Sequence, residues 1–366
     1  VGLSGGVDSA VAIIMLQQQG YEVEAMFMRN WDSTINNDIL GNPNSFEEVC
    51  PQEQDYMDAM AVSKKLNVKL HRIDFVEEYW NKVFSYFLDE YNKNRTPNPD
   101  ILCNKEIKFK AFLEHANRLG ADLIAMGHYA RGRKGTKVEL LRRKDQNKDQ
   151  SYFLCQLNKE QLAKSLFPIG EMTKQEVREV AKKYGLNVAQ KKDSTGVCFI
   201  GERDFKEFLK NYILAKPGDI VDKNGNKLGR HEGIMYYTIG QRKGLGIGGA
   251  GDAWFVVGKD PQKNHLIVGQ GADQELLYSN RAIIRDVNWI NDPFTGELTC
   301  SAKFRYRQKD NPVRLKWLEK DVLEVSYPER AKAVTPGQAA VFYEGEVLLG
   351  GGTIDEVFMD QVKRRY

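Results

Sequence analysis

The chain has 366 residues, of which 42% are hydrophobic and 28% are charged. This composition is typical of a globular protein with a real core, and the length is enough for about two or three domains. No run approaches the roughly 18 apolar residues that a membrane-spanning helix needs, and no secretory signal opens the sequence. We therefore expect a cytoplasmic protein that is free of membrane. The net charge of +3 is too small to indicate nucleic-acid binding by itself.

Predicted strands and helices alternate through the first half of the chain. A strand stub precedes the segment SGGVDS, and a helix follows that segment and ends at Gly20. Further strands are predicted over residues 21–28, 69–74 and 122–127, and further helices over residues 52–66, 76–91 and 104–119. This alternation predicts an α/β domain with a parallel sheet and helices on both faces. Because the first strand has only three residues, we expect several residues to be missing ahead of it.

A polar segment punctuated by Gly and Pro covers residues 30–50. Its length is unusual for a connection inside an α/β unit. We expect a functional lid or a mobile segment there.

The second half of the chain is β-rich. Asn224-Gly225 predicts a hairpin turn, and the segments YYTIG, WFVVG and HLIVG have strand composition. Past Arg281, short strands are separated by turn signals. The simplest division is a first domain over residues 1–204, a small central domain over 205–280 and a C-terminal β-barrel over 281–366.

The segment Ser4–Ser9, SGGVDS, lies between a strand and a helix. Glycines let a backbone approach an anion, and the N-terminus of a helix favours negative charge, so this arrangement predicts a phosphate-binding loop. The Walker pattern GxxxxGK[ST] is absent. The segment resembles the PP-loop of ATP-pyrophosphatases, which implies cleavage of ATP between its α- and β-phosphates. A second Gly-rich segment, Gly244 to Gly249, has no predicted helix behind it and is interpreted as a loop.

Eight Lys or Arg residues lie between Arg131 and Lys148, against two acids. Composition alone favours a solvated, charged hairpin. The alternative is an arm that contacts phosphates.

The five cysteines include no CxxC pair and no Cys/His pair at metal-binding spacing, so we expect no structural metal. Cys103 follows Pro97, Pro99 and Asp100 at the start of a predicted helix. The positive end of a helix with lysines nearby favours a thiolate, and Asp100 is within reach as a general acid or base.

Cys198 lies in KKDSTGVCFIGERDF, where two lysines and an arginine again favour a thiolate. Cys155 and Cys300 lie in apolar or alternating segments and are predicted to be structural. Cys50 has no context that favours a thiolate.

Motifs along the whole chain resemble the bacterial tRNA-specific 2-thiouridylase family. The segments that carry the resemblance are SGGVDS, FMRNW, TPNPDILCNKEIKF, MGHYAR, KDQSYFL, KKDSTGVCFIGERDF, MYYTIGQRKGLGIGG, KFRYRQ and TPGQAAVFY. It implies an N-terminal PP-loop ATP-pyrophosphatase domain of the adenine nucleotide alpha hydrolase-like type, a small central domain and a C-terminal β-barrel that binds tRNA.

The resemblance also implies roles for individual residues. Cys103 is the nucleophile, Cys198 carries the persulfide, and Asn98, Pro99 and Asp100 meet the target base. The positions implied to bind ATP are Gly2, Leu3, Ser4, Gly5, Gly6, Val7, Asp8, Ser9, Met28 and Gly127. The further positions implied to contact tRNA are His128, Lys148, Asp149, Gln150, Arg305, Tyr306 and Gln338.

The implied reaction is ATP-dependent adenylation of the C2 oxygen of the wobble uridine, followed by sulfur transfer from the Cys198 persulfide. Cys103 attacks the persulfide or resolves it as a transient disulfide with Cys198, and both routes stay open. Magnesium is expected with ATP. The implied partners are the tRNAs for Lys, Glu and Gln, not DNA, and a persulfide donor, either a cysteine desulfurase or a sulfur relay protein.

Two other functions fit parts of the sequence. One is a different ATP-pyrophosphatase that adenylates a small carbonyl substrate. The other is a non-catalytic RNA-binding protein that uses ATP only as a structural ligand.

Overall fold

A computed structural model describes residues 1–43, 51–143, 149–193, 196–197, 200–271 and 274–366. The chain forms two compact units. The first contains Val1–Phe84, Pro99–Asn211 and Glu346–Leu348, and the second contains Ser85–Asn98, Tyr212–Gly345 and Leu349–Tyr366. Within the described ranges, no helix has the length and apolar character needed to cross a membrane.

Helices are concentrated in the first 211 residues. The α-helices are α1 (Val7–Gln18), α2 (Pro51–Leu66), α3 (Val76–Tyr79), α4 (Ser85–Asn92), α5 (Pro99–Leu102), α6 (Phe112–Arg118), α7 (Lys159–Ala163), α8 (Lys174–Lys183) and α9 (Phe205–Lys210). Two segments are π-helical, Trp80–Phe84 and Cys103–Ala111. Short 3₁₀ turns cover Ser151–Leu154, Asn187–Gln190, Ile234–Tyr236 and Glu275–Leu277.

Strands occur throughout the chain and dominate it after residue 211. They are β1 (Ala25–Arg29), β2 (Leu70–Asp74), β3 (Ile124–Ala125), β4 (Arg131–Lys134), β5 (Val138–Leu141), β6 (Ser165–Leu166), β7 (Gly218–Asp222), β8 (Lys227–His231), β9 (Trp254–Asp260), β10 (His265–Gln270), β11 (Tyr278–Trp289), β12 (Glu297–Lys303), β13 (Asn311–Glu319), β14 (Val322–Lys332), β15 (Ala339–Glu344), β16 (Val347–Met359) and β17 (Val362–Lys363).

A parallel sheet forms the centre of the first unit. β1 pairs in parallel with β2, and residues 1–3 lie beside β1, where Leu3 N donates to Met26 O at 2.9 Å. On the other side, Gly2 N donates to Ala125 O of β3 at 3.0 Å, and β3 pairs in parallel with β6. The predicted α/β class is therefore confirmed. The strand predicted over residues 21–28 begins only at Ala25.

Helix α1 is buried on nearly all sides and packs against α2 and α8. A helix that is apolar all round belongs in a core, and its burial fixes where the preceding loop lies. The core around α1 also contains Phe27 of β1, Tyr129 and Val177 of α8.

Residues 30–43 of the segment predicted to be a lid or mobile are packed within the first unit. Trp31 is 3% exposed and contacts Trp80, Phe84 and Phe208. Asp204 N donates to Gly41 O at 2.8 Å, which joins the segment to the start of α9. Residues 44–50, including Cys50, lie outside the described residues.

The second unit contains a four-stranded sheet in the order β8-β7-β10-β9 and a closed barrel. The barrel runs β11-β14-β13-β12-β15-β16, and β16 pairs back onto β11. The predicted C-terminal barrel is confirmed, as is the hairpin at Asn224-Gly225, where Gly225 has a φ of 90°.

One predicted strand of the second unit is absent among the described residues. YYTIG ends in a turn in which Thr238 N donates to the Gln241 side chain, and Gly240 has a φ of 82°. A strand cannot continue through that geometry. Residues 244–249 form a loop, as predicted.

Candidate active site

The phosphate loop closes on itself through two serines. Ser4 N donates to Ser9 Oγ at 3.2 Å, and Ser9 Oγ donates to Gly6 O at 3.1 Å. Gly5 has a φ of 73°, and a Cβ built there would lie 2.2 Å from Asp55 O. Only glycine fits this turn, because a side chain would both strain the backbone and strike the neighbouring helix.

The phosphate loop and the first turn of α1 contribute five consecutive backbone N–H groups, those of residues 5–9. Among the residues that the structure describes, none accepts a hydrogen bond from the N–H groups of residues 5–9. These groups lead into the N-terminus of α1, where the helix dipole is positive. The loop therefore has the donors that a chain of phosphates requires.

The other positions implied to bind ATP lie around this loop. Gly127 approaches the start of α1 so closely that a Cβ there would lie 2.8 Å from Ser9 N. A Cβ on Gly2 would lie 2.7 Å from Met126 Sδ and 3.5 Å from Met28 Cε. The structure therefore brings Met28 and Gly127 next to the two ends of the segment Gly2 to Ser9.

Asp8 of the phosphate loop has two partners that the sequence did not identify. Its Oδ1 accepts from Tyr129 Oη at 2.7 Å and from Lys174 Nζ at 2.7 Å. Burial raises the pKa of Tyr129, and the adjacent Asp8 carboxylate raises it further. The pattern TKQE marks the start of α8, and Thr173 and Glu176 do form a capping box there. That pattern places Lys174 in a first turn but does not show what it faces.

Lys191 lies on another side of the loop. Its Nζ donates to Gly5 O at 3.0 Å, to Asp55 at 2.7 Å and to Asp58 at 2.5 Å. Burial alone would lower the pKa of Lys191, but the bonds to the two carboxylates outweigh it and raise the pKa. The lysine is therefore charged and holds the loop against α2.

Cys103 is fully buried and begins the π-helical segment Cys103–Ala111. The helix starts at Pro99, so the predicted placement of Cys103 at a helix N-terminus is wrong by one turn. Proline is favoured at the first helical position because an N–H at that position would have no acceptor within the helix. Pro99 and Asp100 therefore form the first turn, while Asn98 belongs to the second unit.

His128 lies beside the helix of Cys103. Its Nε2 is 3.1 Å from Asn104 Oδ1, and its ring packs on Phe109. Burial, with a smaller effect from Lys108, holds the pKa of His128 well below its ordinary value. At neutral pH this ring is uncharged, so it offers a hydrogen bond rather than a positive charge.

Two of the positions implied to contact tRNA make bonds inside the first unit. Asp149 is 3% exposed and accepts from Ser151 Oγ at 3.0 Å and from Arg143 N at 3.2 Å. The Gln150 side chain accepts from Tyr129 N at 2.9 Å. The side chains of Asp149 and Gln150 therefore fix the backbone of the segment that begins at residue 149. Lys148 and Cys198 lie outside the described residues.

The basic segment after Arg131 forms the antiparallel hairpin of β4 and β5. Several of its arginines make internal contacts: Arg143 Nη2 donates to Met172 O at 2.6 Å, and its guanidinium lies 4.3 Å from the centre of the Tyr129 ring. Arg133 pairs with Glu139 on the surface. The described part of the segment is thus a charged hairpin whose cations are partly neutralised.

In the second unit, Arg305 and Tyr306 lie in a turn directly after β12. The turn forms because the Gln308 side chain accepts from Phe304 N at 3.1 Å. Arg305 Nη2 donates to Ile239 O and to Thr335 Oγ1, each at 2.7 Å.

Gln338 also makes bonds within this unit. Its Nε2 donates to Thr96 O at 2.7 Å and to Pro97 O at 3.3 Å. Gln338 thus holds the two residues that precede Asn98.

Comparisons with known proteins cover the whole chain. Family models described as a tRNA methyl transferase HUP domain, a tRNA methyl transferase PRC-barrel domain and an aminomethyltransferase beta-barrel domain match residues 1–202, 206–270 and 279–354. The tRNA-specific 2-thiouridylase of Mesoplasma florum is 58% identical over 98% of this chain and 98% of its own length. Those of Acholeplasma laidlawii and Bacillus subtilis are 56% and 54% identical, each over 100% of this chain and over 98% and 97% of their own lengths.

The chain belongs to the tRNA-specific 2-thiouridylase family. The three matched models confirm the predicted order of an N-terminal nucleotide-binding domain, a small central domain and a C-terminal barrel. The phosphate loop lies within residues 1–202, the part of the chain that matches the HUP domain of the family.

Proposed function

We propose that this chain is an ATP-dependent tRNA-uridine 2-sulfurtransferase that converts the wobble uridine to 2-thiouridine. The observation that supports this most strongly is the identity of 54–58% to 2-thiouridylases along the full chain. The other ATP-pyrophosphatase function and the non-catalytic function are not favoured, because neither accounts for a match that includes both cysteine motifs.

The first step is adenylation. The uridine O2 attacks the α-phosphate of ATP, the bond to the β-phosphate breaks, and pyrophosphate leaves. Residues Gly2 to Ser9, with Met28 and Gly127, hold the nucleotide in this proposal. The N–H groups of residues 5–9 support it, since preorganised donors stabilise charge that develops on a phosphate.

Magnesium would enter with the phosphates and help neutralise their charge. Within the described ranges, no group of three or more His, Cys, Asp or Glu residues could hold a metal ion by itself. A cation with few protein ligands fits magnesium, which commonly binds through substrate phosphates and water.

The second step is sulfur transfer. In one route, the terminal sulfur of the Cys198 persulfide attacks C2 and AMP leaves, after which the Cys103 thiolate attacks Cys198 Sγ and releases 2-thiouridine. In the other route, Cys103 attacks Cys198 Sγ and displaces hydrosulfide from the persulfide, and the hydrosulfide then attacks C2, from which AMP leaves. Both routes end in a Cys103–Cys198 disulfide that an external thiol reduces. Asp100 is the proposed acid or base.

The proposed tRNA contacts are Asn98, Pro99, Asp100, His128, Lys148, Asp149, Gln150, Arg305, Tyr306 and Gln338. The proposed acceptors are the tRNAs for Lys, Glu and Gln, and the proposed sulfur donor is a cysteine desulfurase or a relay protein in the cytoplasm.

We retain residues 1–204, 205–280 and 281–366 as the proposed domain boundaries.

The test is mass spectrometry of tRNA nucleosides after incubation with ATP, cysteine and a cysteine desulfurase. Wild-type protein should form 2-thiouridine, and Cys198→Ser and Cys103→Ser should form little. Cys300→Ser is the matched control and should retain activity. Thiolation by Cys198→Ser at the wild-type rate would refute the persulfide assignment, and AMP formation without 2-thiouridine by the wild type would refute the function.

A further inference from the structure

The start of the Cys198 motif is bonded to the phosphate loop at two points. Lys191 donates to Gly5 O, as described above. Two residues later, Asp193 accepts from Lys174 Nζ at 2.6 Å, and the same Nζ donates to Asp8 at 2.7 Å. The chain that leads into Cys198 is thus connected to the loop through the side chains of Lys191 and Lys174.

Lys174 is well placed to maintain this connection. It lies in the first turn of α8, whose start is fixed by the capping box of Thr173 and Glu176. The side chains of Lys174 and Asp8 are 21% and 27% exposed, so solvent screens the ion pair only in part. Arg178, one turn further along α8, lies 3.3 Å from Asp193 and donates to the carbonyls of Ala189 and Lys191.

Sulfur transfer demands that two separately held groups meet. The phosphate loop would fix the adenylated uridine through its phosphate, while the persulfide would be carried five residues after Asp193. A misplacement of about 1 Å between reacting groups can reduce a rate by about 100-fold. We therefore expect bonds between the phosphate loop and the start of the sulfur-carrying segment to affect the rate of sulfur transfer more than the rate of adenylation.

We propose that Lys174 is a positioning residue for sulfur transfer, which acts by bonding Asp8 of the phosphate loop to Asp193 ahead of Cys198. The proposal rests on the proposed function. It predicts that loss of the Lys174–Asp193 bond separates the two steps, because adenylation needs the loop alone and thiolation needs the connection.

The experiment measures two products in single turnover with tRNA, ATP, cysteine and a desulfurase: pyrophosphate and 2-thiouridine. Asp193→Asn keeps the shape of the side chain and removes its charge, while the Asp8–Lys174 pair remains. We expect its pyrophosphate release to stay within about twofold of wild type and its yield of 2-thiouridine per pyrophosphate to fall about tenfold. Lys174→Met should lower the same ratio, and Lys174→Arg should restore most of it.

The exposed Lys183, on the same helix, provides the matched control through Lys183→Met. The proposal also predicts that Asp193→Asn combined with Lys174→Met lowers the ratio no further than Lys174→Met alone, since both remove the Lys174–Asp193 pair and the Asp193–Arg178 pair does not reach the phosphate loop. If Asp193→Asn has the wild-type ratio, or if both variants lower the two products equally, the proposal is wrong. Failure of the wild type to form 2-thiouridine would instead refute the proposed function.

Discussion

Lys259 is a buried lysine of the second unit. It is 3% exposed, and its Nζ donates to Asn94 O at 2.7 Å. Burial lowers the pKa of Lys259 to about 7, because an ammonium group loses hydration there. This side chain therefore links the stability of the second unit to pH.

The direction of this pH dependence follows from the number of protons that Lys259 binds in the folded and unfolded states. An unfolded lysine has a pKa near 10.4, so between about pH 7 and pH 10 the unfolded chain holds a proton that the folded chain lacks. Stability should rise with pH across this window by up to about 1.4 kcal/mol per pH unit. Urea midpoints at pH 7, 8 and 9 test this: Lys259→Met should flatten the rise, and the exposed Lys263→Met should not. Parallel curves for wild type and Lys259→Met would contradict it.

Single residues also show what the sequence could and could not predict. The phosphate loop was predictable, because Ser4, Gly5 and Ser9 act within one local turn. Lys174 was not, since its bond to Asp8 joins residues 166 positions apart. Asp149 was identified as a tRNA position from its motif alone, and no sequence pattern shows that its carboxylate already accepts three hydrogen bonds.

At the scale of elements, residues 30–43 and the start of α9 form one packed structure. The Asp38 carboxylate is fully buried, accepts from Trp31 Nε1 at 2.9 Å and pairs with Arg203 Nη2 at 2.7 Å. The Arg203 side chain is only 6% exposed. This buried pair holds the segment where the sequence predicted a lid.

Removing one member of a buried pair leaves the other charge without compensation. Asp38→Ala should therefore destabilise the first unit by about 3–5 kcal/mol. The matched control is Glu139→Ala, which removes a pair with the 61% exposed Arg133 and should cost about 0–1 kcal/mol. Thermal denaturation and limited proteolysis measure the difference, and equal melting temperatures for the two variants would show that the buried pair contributes little.

Elements were predictable where one pattern decided them. Helices α1 and α2 and the hairpin at Asn224-Gly225 follow from periodicity and turn residues, and the structure contains all three. KFRYR alternates as a strand would, but the chain turns there, where Gln308 accepts from Phe304 N and Arg305 is bonded to the distant Ile239 O and Thr335 Oγ1. Tertiary contacts of this kind leave no local pattern.

At the scale of the whole molecule, two cysteines lie where the thiolate is disfavoured. Cys155 is fully buried and Cys300 is half-buried, and burial raises the pKa of each thiol to about 12. At pH 8 only about one molecule in ten thousand would carry either thiolate. Neither cysteine is therefore prepared to exchange with a persulfide.

The proposed reaction and the raised pKa values of Cys155 and Cys300 together predict which cysteines change during turnover. After one turnover without reductant, peptide mapping should find one new disulfide, between Cys103 and Cys198, with Cys155 and Cys300 still thiols. In native protein at pH 8, iodoacetamide should label Cys155 and Cys300 far more slowly than it does after denaturation, because labelling requires the thiolate. Denatured protein is the control that shows both sites can react. A turnover-dependent disulfide that includes Cys155 or Cys300 would contradict both the assignment of Cys103 and the protective effect of burial.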